Sequence, residues 1–274
     1  TLKAPIDDID EYENTIYEKR IDDNNKWALW KNEGTGITSA KVEFSSLLIP
    51  TMDSTRSIYL IETVGRINLE NSDDRRNPSL MIGDAGTAKT SCVLIYSRLK
   101  FTEEQILKVI NFSSATTPTN FQMTMDDELD KAGANEFVPF NEKHMIVFID
   151  DISMPYMNKF GDQMTLEITR QLLEYGGYYL NGDNDNRGIM KKIKRIGFVG
   201  AMNHPKGGKN DIPNRLKRQF FIFNLVMPND QSVRDIYGNI IDLFFFFITK
   251  VNVTAYDQVE LSENAQKLVA LTTG

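Results

Sequence analysis

From Ser79 onward, short apolar runs alternate with stretches of helical period. SLMIG at 79–83, ILKVINFS at 106–113, HMIVFID at 144–150, RIGFVGAM at 195–202 and QFFIFNL at 219–225 have strand length and polar flanks. Helical patterns lie between them, over 89–99, from near Asn120, and over 163–174. Near-continuous apolar strands joined by helical crossovers belong to parallel sheets buried on both faces. The pattern therefore predicts an α/β, doubly wound fold with a five-stranded, mostly parallel sheet flanked by helices. Upstream, residues 1–45 are polar and read as a lead-in segment, with Trp27, Trp30 and Phe44 as anchors. A helix is expected over 55–66 and a surface loop over 68–78 (NLENSDDRRNP). After Pro228 the period is helical through Lys250 and again from Ser262, the start of a small helical subdomain. The expected organisation is thus 1–45, a large α/β subdomain over 46–228, and 229–274.

Composition narrows the function. A chain of 274 residues with 41% hydrophobic and 25% charged residues supports a sizeable core. The net charge of −7 opposes a dedicated nucleic-acid binder, which carries a basic face. One cysteine and two histidines leave too few ligands for an internal disulfide or a structural zinc site, and Cys92 reads as core. The acidic N-terminus lacks the apolar run of a signal peptide. The apolar stretch 240–248, with four phenylalanines, falls well short of the ~20 residues that span a bilayer. Starting at Thr1 and stopping at Gly274, the sequence reads as a piece of something longer.

The sharpest motif is Gly83-Asp84-Ala85-Gly86-Thr87-Ala88-Lys89-Thr90, followed by Ser91, placed after an apolar strand and opening a helix. It matches the phosphate-loop pattern G-x-x-x-x-G-K-[ST] except that Ala88 stands at the second glycine. Backbone N–H groups of such a loop cradle phosphate oxygens at a helix N-terminus. Lys89 is expected on the β- and γ-phosphates of ATP or ADP, and the Thr90 hydroxyl on Mg²⁺. The methyl of Ala88 is tolerable there if its φ stays negative.

The strand HMIVFID ends in Asp150 and Asp151. A buried parallel strand delivers its last residue beside the phosphate loop. Asp150 is expected to hold Mg²⁺, which prefers oxygen ligands. Asp151 stands where a catalytic glutamate polarises water; one methylene shorter, it favours binding over hydrolysis. Asn203, closing the next strand, is the expected γ-phosphate sensor. Arg215 and Arg218, three apart, are candidates to stabilise phosphoryl-transfer charge in a neighbouring site, with Arg215 preferred. The basic run 191–195 reads as a solvated loop or the lead into a strand.

These motifs, with IPTMDSTR at 49–56, NFSSATTPTNFQ at 111–122, VFIDDISMPYMNKFGDQ at 147–163 and NHPKGGKN at 203–210, resemble a dynein heavy chain. The similarity is to its third AAA module and leans towards axonemal dyneins. It covers blocks over roughly 40–225. The resemblance implies a P-loop AAA+ fold within a six-module ring ATPase that moves towards microtubule minus ends. The third module of that family binds nucleotide and regulates release from microtubules. Lys89, Thr90, Asp150 and Asp151 carry over as phosphate, Mg²⁺ and acidic positions, and Arg215 as the arginine facing the preceding site. Leu48, Ile49 and Pro50 carry over as part of the adenine pocket. Implied partners are the neighbouring AAA+ modules, microtubules reached through a coiled-coil stalk outside these residues, and dynein intermediate and light chains, with no nucleic acid and no membrane. The implied location is the cytoplasm and cytoskeleton, in the axoneme of a cilium or flagellum. HPKGGKN departs from the family's PPGGGRN, and 68–78 and 181–188 look irregular.

Two other readings compete. A structural ring segment that never exchanges nucleotide suits Ala88 and Asp151. A stand-alone P-loop enzyme, such as a small-molecule kinase, needs an acceptor pocket and lid for which no sequence is found.

Overall fold

The computed structural model describes residues 18–22, 26–30, 48–66, 77–179, 188–205 and 210–249. Phe44, most of the loop 68–78, most of the irregular stretch at 181–188, residues 206–209 and the helical pattern from Ser262 lie outside them. The chain divides into two compact units, residues 1–57 with 228–274, and residues 58–227.

In the first unit, β1 (Lys19–Ile21) pairs antiparallel with β2 (Trp27–Leu29), so part of the expected lead-in is a hairpin. Helix α1 (Met52–Arg66) starts three residues earlier than the pattern predicts. A reciprocal cap explains this: the Ser54 N–H donates to Thr51 Oγ1 and the Thr51 N–H to Ser54 Oγ.

The second unit carries the central sheet. Its strands are β3 (Ser79–Ile82), β4 (Gln105–Asn111), β7 (His144–Asp150), β10 (Ile196–Met202) and β11 (Phe221–Asn224). Their order is β11-β3-β10-β7-β4, and every neighbouring pair is parallel. All five apolar runs thus become sheet strands. The interior strands β7 and β10 are nearly wholly buried, as their unbroken apolar sequences require. The crossovers carry α2 (Lys89–Lys100), α3 (Pro118–Asp126) and α4 (Met164–Tyr175). Helix α2 buries Cys92, Val93, Ile95 and Tyr96 along one face. Thr117 caps α3 by accepting the Asn120 N–H, with Pro118 in the first turn. Gly176, at φ 68, closes α4 in the left-handed conformation that glycine tolerates.

A second sheet is absent from the sequence reading. Strands β5 (Leu129–Lys131), β6 (Glu136–Pro139), β8 (Gly177–Tyr179) and β9 (Met190–Ile193) run in the order β5-β6-β9-β8. The reading of 191–195 as a solvated loop or strand entry is therefore corrected at Lys191 to Ile193, which belong to β9, while Lys192 and Lys194 are exposed and Arg195 leads into β10. Lys191 is buried, donates to Asp126 at 2.6 Å and lies 3.9 Å from the Phe137 ring centroid. A paired ammonium with an aromatic face tolerates burial that a free one does not.

Register places the site. Ile82 lies beside Met202, Gly200 beside Ile149, and Asn111 beside Asp150. The segments starting at Gly83, Asp150 and Asn203 therefore leave the sheet at one carboxyl edge. A short helix, α5 (Asn214–Lys217), precedes β11, and α6 (Asp230–Thr249) follows Pro228.

Candidate functional site

The loop between β3 and α2 is packed too closely for a side chain at its first glycine. A Cβ on Gly83 would sit 2.6 Å from Thr87 Oγ1 and 2.8 Å from the Leu225 carbonyl. Gly86 has φ 85, a conformation natural to glycine. Thr87 Oγ1 donates to the Asp84 carbonyl at 2.9 Å and ties the turn together. Ala88 has φ 60 and ψ 28, so the condition of a negative φ is not met. The backbone keeps the left-handed turn that the glycine of the pattern would take, and the alanine methyl bears its steric cost of about 1 kcal/mol.

The other expected residues converge on this loop. Lys89 Nζ donates to the carbonyls of Gly83 and Asp84, each at 2.9 Å, and to Asn203 Oδ1 at 3.1 Å. Thr90 Oγ1 donates to Asp150 Oδ2 at 2.5 Å. Asp150 Oδ1 accepts the Asp151 N–H at 3.0 Å, and Asp151 sits at φ 52. A lysine, a hydroxyl, a strand-end carboxylate and an asparagine thus meet at the carboxyl edge of one parallel sheet. The Thr90 hydroxyl and Asp150 carboxylate form an oxygen donor set of the kind Mg²⁺ prefers. Ser91 follows in the first turn of α2, half-buried.

The sequence model of a family described as the P-loop containing dynein motor region matches residues 37–228. The chain belongs to that family. It is 39% identical over 227 residues to dynein axonemal heavy chain 8 of Homo sapiens, an alignment spanning 82% of this chain and 5% of the relative. Identity to dynein axonemal heavy chain 5 of Mus musculus is also 39%, over the same shares of both chains. It is 42% over 216 residues to the dynein gamma chain, flagellar outer arm, of Chlamydomonas reinhardtii, with 79% of this chain and 4% of the relative covered. The chain spans about 5% of the length of the first of these curated relatives.

Arg215 and Arg218 of this dynein motor segment point elsewhere than Lys89. Arg215 pairs with Glu167 at 3.1 Å and Arg218 with Glu174 at 3.2 Å, both on α4. Leu48, Ile49 and Pro50 fall in the other compact unit, where Ile49 and Pro50 are buried.

Two parts of the dynein segment escaped the sequence reading. Gln163 Nε2 donates to the carbonyls of Ser153 and Pro155, at 3.2 and 2.9 Å, and closes the base of the loop that follows Asp151. Its only sequence signal is the glutamine ending the FIDD-to-FGDQ string. The second is Arg170, which bridges Glu167 and Glu174. Their spacing on one helix face was its signal.

Proposed function

We propose that this chain is the third AAA module of an axonemal dynein heavy chain, binding ATP or ADP with Mg²⁺ to regulate a microtubule motor. The observation that carries the reading is the meeting of Lys89 with Asn203 and of Thr90 with Asp150 at the end of one parallel sheet. In this reading Lys89 turns from its loop carbonyls to the β- and γ-phosphates, a charge-assisted contact. Asn203 orients it and senses the γ-phosphate. Backbone N–H groups from Asp84 to Thr90 cradle the phosphates at the start of α2. Thr90 and Asp150 hold Mg²⁺, which would neutralise charge between the phosphates.

Asp151 orients water weakly because its carboxylate is a methylene short of a glutamate. Binding and release of nucleotide, rather than rapid turnover, are then the work of this module. Arg215 serves the nucleotide of the preceding module, with Arg218 beside it. The position within the ring rests on the resemblance of the blocks over roughly 40–225 to the third module, and the ciliary or flagellar axoneme on the DD ending followed by MP and on the names of the relatives. Minus-end-directed force, microtubule binding and the intermediate and light chains belong to the heavy chain as a whole.

The test is nucleotide exchange in the heavy-chain motor that carries this sequence. Lys89→Ala should slow release from microtubules and lower gliding velocity. Unchanged gliding and microtubule affinity, with nucleotide retained through many motor cycles in the parent, would replace the regulatory reading with that of a non-exchanging ring segment.

A further inference from the structure

We propose that Arg170, together with Glu167 and Glu174, is a positioning device that holds Arg215 and Arg218 as a paired clamp for the terminal phosphate of a nucleotide on the adjoining module. The proposal rests on the placement of those arginines in the preceding site given above, and adds what sets their geometry.

Residues 167, 170 and 174 follow one stripe of α4, at spacings of three and four. Arg170 is the inner member, with its side chain 14% exposed. Its Nε and Nη2 both reach Glu167, at 3.1 and 2.7 Å to Oε1, while Nη1 contacts Glu174 Oε2. The guanidinium fork thus spans two carboxylates, which a lysine point charge cannot do. Each carboxylate also takes one outer arginine: Glu167 Oε2, which Arg170 Nε reaches at 3.2 Å, holds Arg215, and Glu174 holds Arg218 on Oε1, the oxygen Arg170 leaves open. The outer side chains remain 53% and 63% exposed, and the two residues are three apart, Arg215 on α5 and Arg218 directly after it.

Charge and exposure say what this arrangement is suited to. Three guanidiniums face two carboxylates, leaving a net charge of +1 on the cluster. Exposed ion pairs contribute little to stability, so the outer contacts do not secure α5 against α4. They do restrict two long side chains to one geometry before any anion arrives. Two preset forks with surplus positive charge match a group with several anionic oxygens, such as the end of a triphosphate. A diphosphate offers those forks no γ-phosphate oxygens.

The experiment uses the intact heavy-chain motor and compares release of a labelled, slowly hydrolysed ATP analogue with release of labelled ADP. The kinetic phase altered by the double substitution Arg215→Ala/Arg218→Ala identifies the adjoining site. Arg170→Gln should accelerate that same triphosphate phase by about two- to fivefold, the most that presetting through exposed pairs can transmit, and leave ADP release unchanged. Arg170→Lys should not restore it, and Glu174→Gln, which frees only Arg218, should have a smaller effect. Added to the double substitution, Arg170→Gln should do nothing more. If the double substitution alters no phase, the arginine assignment fails and the positioning claim with it. If it does, but Arg170→Gln is silent or acts additively, the arginines keep their role and the positioning device is wrong.

Discussion

The Thr90 hydroxyl donates to Asp150 Oδ2 across 2.5 Å, joining the first turn of α2 to the end of β7, sixty positions later in the chain. Both groups lie where Mg²⁺ would be held, so Thr90→Val separates metal-dependent from metal-independent binding. Nucleotide affinity with Mg²⁺ should fall about tenfold, the worth of one charge-assisted contact. Affinity in excess chelator should hardly change. Titration of a fluorescent nucleotide under both conditions checks this, and equal loss in both would remove Thr90 from the metal site.

How far the sequence reveals this site depends on what each residue packs against. Strands β7 and β10 are buried on both faces and leave unbroken apolar runs, so the central sheet and its edge are legible. Asp150 and Asn203 are then found by their position at strand ends. The smaller sheet is not legible in that way. Strand β9 reads MKKI, and Lys191 is buried only because Asp126 and the Phe137 ring lie against it. Nothing local announces a partner 65 positions away. The sign of φ at Ala88 could be inferred only from the glycine that the phosphate-loop pattern has there, since alanine itself argues for the opposite.

Ala88 provides a test of stored strain. At φ 60 its Cβ costs about 1 kcal/mol, which a glycine avoids, although glycine returns part of that through its freer unfolded chain. Ala88→Gly should therefore slow hydrogen exchange in the first turn of α2 by up to about fivefold, close to 1 kcal/mol. Faster exchange would mean that the turn relaxes once the methyl is gone.

Lys89 and Asn203 make a second, independent pair. Lys89→Met removes the ammonium and keeps the stem, and should weaken nucleotide binding by about 10- to 100-fold. Asn203→Ala leaves the charge in place on the Gly83 and Asp84 carbonyls, and should weaken ATP more than ADP, because the expected contact of Asn203 is the γ-phosphate. Equal losses for both nucleotides would make Asn203 only a support for the lysine.

Buried Tyr178 donates its hydroxyl to Asp126 Oδ1 at 2.5 Å, beside the Lys191 contact. Burial first, then the bond to the Asp126 carboxylate, pushes the phenol well above its ordinary range. The unfolded phenol ionises near pH 10 while Tyr178 in the folded chain keeps its proton. The folded value is raised, so its contribution is intact below about pH 10 and is lost as pH rises towards the folded value. Amide exchange in β8 and β9 should therefore show an alkaline weakening of this sheet that Tyr178→Phe reduces. At neutral pH the same substitution should cost about 1 kcal/mol, since it leaves Asp126 with one hydrogen bond fewer. Tyrosinate absorbance gives the complementary readout, because Tyr178 should ionise only as the fold opens. A phenol that titrated normally in the folded chain would mean that water reaches it and that Asp126 is held by Lys191 alone.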